Sequence, residues 1–393
     1  MGSAMSDTSN YAHAHPSFRI SSKRFSTSPW LPAYANDDMM MGVYSRRFYP
    51  LTIGDDAIAN YWHLRRSAVL FDVPEHPIVI EGNDALALLQ KLFCRDIGKL
   101  KQGRATYAIA CDHQGGIVMD GVLMRIGEDR YWYVLADGEF MPWIGAHAAG
   151  MDVTIRDPES WVLQIQGPKA FDVLASLVDD TPPDPFKYFS VHDCSIAGQP
   201  FLISRTGWTG EMGFELYSLN PEIDGPAIFD IILERGKPHG LIFSSLEAMG
   251  IRRIEAGIMD NGTDMDATMT PYQAGLGQFV NLDKDADFIG KEALAKADQS
   301  RLFFGLTCEN ATPLAGTRIK VDGKDVGRAT AGGWSPYLEK GIAFARMAHA
   351  DDWVGKPVTV ELADGSEHDA VIVSLPFYDE EKLIPRGLAN STP

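Results

Sequence analysis

Cysteine is scarce in this chain. Only Cys94, Cys111, Cys194 and Cys308 occur among 393 residues, and no two of them form a Cys-x-x-Cys pair. That spacing excludes a disulfide frame and a zinc ribbon, and reads as buried thiols of a cytoplasmic protein. Basic residues are also outnumbered, 35 Lys and Arg against 53 Asp and Glu, for a net charge of −18. Nucleic acid and anionic membranes, which need a basic surface, are thereby disfavoured as main partners. No apolar run reaches the length of a membrane span, and no basic-then-apolar leader opens the chain. The nucleotide cradles Gly-x-Gly-x-x-Gly and the P-loop are missing, as is the Gly-x-Ser-x-Gly hydrolase elbow. No helical His-x-x-x-His pair occurs, and Asp260, Asp264 and Asp266 do not alternate as calcium ligands do, so no metal is expected.

What is present is an ordinary globular composition, 45% hydrophobic and 22% charged, long enough for two or three domains. Residues 1–37 read as a loosely ordered arm that begins with a vector-like Met1-Gly2-Ser3-Ala4. Its aromatic second half, with Trp30 and Tyr34, is expected to pack on the body. From 38 to 300, helical and strand patterns mix; two strands flank the turn His113-Gln114-Gly115-Gly116, a hairpin signature. From 301 to 393 the pattern changes to short strands, at Leu302–Leu306, Arg318–Val321, Val326–Ala331, Ile342–Arg346, Pro357–Leu362 and Asp369–Val373. Such spacing predicts a C-terminal β-barrel or sandwich. The fold class is therefore α+β. Ser244-Ser245-Leu246-Glu247 reads as a capping box opening a helix that Asn261-Gly262 ends. Arg253 and Glu255 lie two residues apart on that helix, face different ways and call for separate ion pairs.

Chemistry is sought among carboxylates on turns between apolar strands. Asp120 stands in Ile117-Val118-Met119-Asp120, where it either caps a neighbouring backbone group or faces a ligand. Glu211 lies in Gly207-Trp208-Thr209-Gly210-Glu211-Met212-Gly213, whose three glycines let the backbone approach something closely.

Taken in order, Gly115-Gly116-Ile117-Val118-Met119-Asp120, then Gly207 to Glu215, then Arg253-Ile254-Glu255-Ala256-Gly257 resemble the tetrahydrofolate-dependent aminomethyltransferase (glycine cleavage T-protein) superfamily. Phe71-Asp72-Val73, Gln166-Gly167-Pro168, Ala274-Gly275-Leu276-Gly277, Phe288-Ile289-Gly290-Lys291-Glu292 and Gly333-Trp334-Ser335-Pro336 extend the match over roughly Tyr44 to Leu375. The resemblance implies a three-domain cloverleaf with tetrahydrofolate in a central channel. It puts Asp120 near the reacting folate nitrogens and Glu211 on the pterin through paired hydrogen bonds. Arg253 would contact the folate, and Tyr133 and Leu135 would line the pterin pocket. Trp208 is a further candidate for the pterin or donor.

The chain also departs from the T-protein pattern. A single acid, Asp120, follows Met119 where T-proteins carry paired aspartates; Ala136-Asp137 replaces an asparagine, and Asn261-Gly262-Thr263-Asp264 replaces Tyr-Gly-Asn-Asp. These changes, with Tyr61-Trp62-His63-Leu64, resemble the dimethylsulfoniopropionate demethylase branch. The implied activity is transfer of a methyl group from a small onium donor to folate N5. A cationic donor would lie against an aromatic face, for which Trp62 is a candidate, with Asp137 as a complementary charge. The rival readings are an aminomethyltransferase or methylated-amine or O-demethylating relative, and a folate-binding protein without turnover. A homodimer is compatible with the sequence but not required by it.

Overall fold

The computed structural model describes residues 22–135 and 137–391. The expected arm therefore lies mostly outside the described residues, but the chain joins the body earlier than residue 37. Ser26 bridges to Arg47, and Trp30 is completely buried in the core beneath the helix Gly225–Gly236.

Two sheets and a barrel organise the rest. One five-stranded sheet runs Arg104–Cys111, Ile117–Arg125, Arg130–Leu135, His76–Glu81 and Thr154–Arg156 in spatial order. The six-stranded sheet runs Val191–Ile196, Gln199–Ser204, Gly213–Ser218, Val162–Gln166, Ala68–Val73 and Leu241–Phe243. Because Ala68–Val73 and Leu241–Phe243 come from opposite ends of the α+β region, its two domains are interleaved along the chain. The six strands from Phe303 to Val373 close into a barrel, as the short-strand pattern predicts. After it, the chain leaves the barrel and returns to the α+β region, where Arg205 donates to the carbonyl of Arg386 at 2.8 Å.

Each sheet covers helices with one face and meets the other sheet with its second face. Strand alternation makes this legible in residues. Leu123, Tyr133 and Leu135 pack on Leu88, Leu89 and Phe140. Their neighbours Val122, Met124, Trp132 and Val134 turn the other way, onto Val69, Phe71, Val162 and Tyr217 of the second sheet. The same outward face of Arg104–Cys111 continues to Ile109 and Cys111, which pack with Phe303 and Phe344 of the barrel. Three bodies thus converge beside Tyr107 and Asp120.

The helix Glu247–Glu255 differs from its sequence reading at both ends. No side chain caps its start. Ser244 and Ser245 instead bind Asp55, with Ser245 Oγ donating to Asp55 Oδ1 at 2.7 Å. The helix ends at Glu255, and Gly257, at φ +67°, takes the left-handed turn assigned to Asn261-Gly262. Glycine is also required at position 116, where an added Cβ would stand 2.0 Å from the Ala267 carbonyl oxygen. Gly116→Ala should therefore destabilise by about 1–3 kcal/mol, read from the urea midpoint, because backbone must move to admit it.

Candidate active site

Asp120 projects from the middle of its strand into the junction of the three bodies and is 5% exposed. Tyr107 is on the same face of the adjacent strand, and its hydroxyl donates to Asp120 Oδ2 at 2.7 Å. Asp120 Oδ1 is buried without a partner. Burial raises this carboxyl above the ordinary aspartate range, against the pull of Tyr107 and of the nearby Asn261 amide. Such an oxygen, desolvated and unspent, is available to a ligand.

The segment that follows the helix Glu247–Glu255 supplies more acid. Asp264 accepts from Arg253 Nη1 at 2.8 Å, from the Asp260 backbone N–H at 2.8 Å and from the Thr330 hydroxyl at 2.6 Å. Arg253 stacks over Trp208, 4.9 Å from the ring centroid. Asp260 has one oxygen buried without a partner. Burial raises its carboxyl to about 7; Arg253 opposes that rise, while Asp264 and Asp120 add to it. The Tyr44 hydroxyl senses Asp260, Asp120, Glu75 and Asp137, and burial with those four charges holds it far above the usual phenol range. The site is therefore a buried, acid-rich junction with Tyr44 and Trp208 at its edge.

The raised Asp260 carboxyl has a consequence for stability. Between about pH 4 and pH 7 the folded protein keeps a proton that the unfolded chain has lost, so this group lowers stability as pH rises through that window. Asp260→Asn should remove the loss, gaining up to about 4 kcal/mol over wild type at pH 8 and little at pH 4. Denaturant titrations at both pH values read it directly.

A second polar group sits on the facing sheet. Gln164 Nε2 donates to Glu75 Oε1 at 2.7 Å and to Glu215 Oε1 at 3.1 Å. Glu215 Oε2 collects the hydroxyls of Thr206, Ser204 and Tyr217. Glu75 Oε2 and Gln164 Oε1 remain buried without donors. Burial and the neighbouring Glu215 charge push Glu75 well above the usual carboxylate range.

Asp120, Arg253 and Trp208 thus meet in one region, as the sequence suggests. Asp137 lies at its edge, with Oδ1 accepting from the Ser45 backbone N–H at 2.7 Å. Three placements, those of Tyr133, Leu135 and Trp62, need correction. Tyr133 and Leu135 point to the helix-covered face of their sheet, where Tyr133 donates to the Ala108 carbonyl and packs on Phe93 and Phe140. Trp62 packs against Tyr61 and Arg66, with Ile251 and Tyr337, away from the cleft face. Glu211 gives Oε1 to Arg252 at 2.7 Å and to the Ser391 hydroxyl, and its Oε2 is buried without a partner. Glu75, Gln164, Glu215, Asp260 and Tyr44 were missed. Glu215 had a signal: it alternates with Gly213 and Tyr217 on a strand whose other face puts Phe214 and Leu216 into the core.

Residues 37–284 match the family model "GCVT N-terminal domain", and residues 301–379 match "Glycine cleavage T-protein C-terminal barrel domain". The chain belongs to the glycine cleavage T-protein family. An aminomethyltransferase of Streptomyces coelicolor is 35% identical over 348 residues, covering 85% of this chain and 92% of the relative. One from Bacillus velezensis is 36% identical over 331 residues, covering 81% and 89%. The solved glycine cleavage system aminomethyltransferase T of Bartonella henselae superposes with a TM-score of 0.81 at 26% identity, covering 91% of this chain and 99% of that one. T-protein family aminomethyltransferases use tetrahydrofolate as substrate and cofactor. The three-body architecture described here is shared with that solved structure.

Proposed function

We propose that the chain is a tetrahydrofolate-dependent transferase that takes a methyl group from a small onium donor, with dimethylsulfoniopropionate the leading candidate. The observation that carries the donor class is the charge of the cleft. Arg253 pairs with Asp264 and acts on Asp260, Asp120 adds a further carboxyl beside Asp260, and Tyr44 also senses Glu75 and Asp137. A cationic donor relieves that excess, and the Tyr44 phenol stands among the same acids.

The facing polar group fits the folate. Glu75 Oε2 and Gln164 Oε1 are buried acceptors lacking donors, complementary to the adjacent N–H groups on a pterin edge. Tetrahydrofolate, when bound, supplies the nucleophilic N5 that receives the one-carbon unit. Asp120 is placed to orient that end of the cofactor and to offset positive charge that develops there, with Tyr107 fixing its rotamer. The apolar surround of Val122, Met124 and Trp132 keeps water from the reacting groups. A methyl on a cationic sulfur or nitrogen leaves behind a neutral group, so alignment is the main demand on the protein.

The test is a donor panel with purified protein and tetrahydrofolate. Sulfonium, quaternary ammonium, methoxy and aminomethyl donors are compared by chromatography of the folate products. 5-Methyltetrahydrofolate from an onium donor supports the reading. Methylenetetrahydrofolate from an aminomethyl donor alone would replace it with the relatives' activity.

A further inference from the structure

We infer that Asp260 is the side chain that receives the positive charge of the donor. The inference deepens the onium reading and rests on it. Asp260 lies on the loop beyond the helix Glu247–Glu255, and Asp264 fixes its backbone through the Asp260 N–H. Its own side chain is nearly unspent. The Thr263 hydroxyl reaches Oδ2 at 3.3 Å, and Oδ1 is buried with no partner.

The other groups that face it are all accounted for. Arg253 is committed to Asp264 at 2.8 Å and to the Ile258 carbonyl at 3.0 Å. From the neighbouring sheet comes Asp120, an acid, and from the Met40–Tyr44 strand comes the Tyr44 phenol. Arg253 is thus spent on Asp264, and Asp260 keeps only the long Thr263 contact, whereas Asp120 is held by Tyr107 at 2.7 Å. A carboxylate left in that state either keeps a proton or waits for an external cation. A sulfonium or quaternary ammonium group has no N–H or O–H to donate, so it needs charge and aromatic contact rather than hydrogen bonds. Asp260 beside Tyr44 offers both. Asp120, held by Tyr107, is left for the folate side.

This makes donor binding a proton-releasing event, which can be measured without turnover. Dimethylsulfoniopropionate is titrated calorimetrically into wild type, Asp260→Asn and Asp260→Glu at pH 6.5, in two buffers of different ionisation enthalpy. Wild type should release roughly three-quarters of a proton, the fraction that a group titrating near 7 still holds at that pH. Asp260→Asn should lose that release and bind at least about tenfold more weakly, while Asp260→Glu keeps most of both. Wild type that does not bind the sulfonium overturns the inference. So does an Asp260→Asn variant that matches wild type in either affinity or proton release. Wild type that binds with proton release but forms no folate product defeats the transfer reading and leaves the role of Asp260 standing.

Discussion

Asp120→Ala should lower turnover by about 10²–10³ while changing tetrahydrofolate affinity less than about threefold. The split follows from what each oxygen does. Oδ2 is held by Tyr107 at 2.7 Å and Oδ1 faces the cleft unpartnered, so the carboxylate adds little surface for gripping the folate. Its value lies in the charge it presents when positive charge develops on the acceptor nitrogen, an interaction stronger in the transition state than in the ground state. Single-turnover rates and folate titrations on the same preparation separate the two. Parallel loss of affinity and rate would make Asp120 an ordinary binding group.

Glu255→Ala should cost about 3–5 kcal/mol of folding stability. Glu255 is fully buried and joins four parts of the chain. Its Oε2 accepts from Arg65 at 3.0 Å and from the Tyr378 hydroxyl at 2.6 Å, and its Oε1 accepts from Tyr61 at 2.7 Å and Ser335 at 2.5 Å. Arg252 stands 3.7 Å away and is itself bound to Glu211. Removing the carboxylate leaves Arg65 buried without a counter-charge and strips the shared acceptor from an α+β helix, a barrel strand and the C-terminal tail. Glu255→Gln keeps hydrogen-bonding atoms in place and should cost less than the alanine change. Urea unfolding of the two variants measures the difference; an alanine variant within about 1 kcal/mol of wild type would mean the network is replaceable.

These two residues also show where sequence reading succeeds and where it stops. Asp120 is legible as a lone acid that interrupts the apolar run Ile117-Val118-Met119, and local pattern is what a single sequence records; its role comes from the family resemblance. The barrel strands are legible for the same reason, and their observed ranges, such as Arg318–Val321, sit on the expected ones. Separate ion pairs for Arg253 and Glu255 follow from helix geometry alone. Their partners do not: Asp264, Arg65 and Tyr378 lie on other elements, and only the folded chain brings them in. Glu211 and Glu215 illustrate the same limit. Both stand in one motif, yet Arg252 and Ser391 hold one oxygen of the first while Ser204, Thr206 and Tyr217 gather on the second. Ser244 and Ser245 look like helix caps in sequence, but a distant carboxylate, Asp55, outcompetes the helix end for their hydroxyls.

The most direct test of the account is methyl transfer itself. Dimethylsulfoniopropionate labelled with carbon-13 on its S-methyl groups is incubated with the protein and tetrahydrofolate, and the label is followed by NMR. The account predicts a 5-methyltetrahydrofolate signal that appears only with protein and folate together, and that Asp120→Ala and Asp260→Asn both suppress. Label that stays on sulfur, while the same preparation converts an aminomethyl donor, would contradict it.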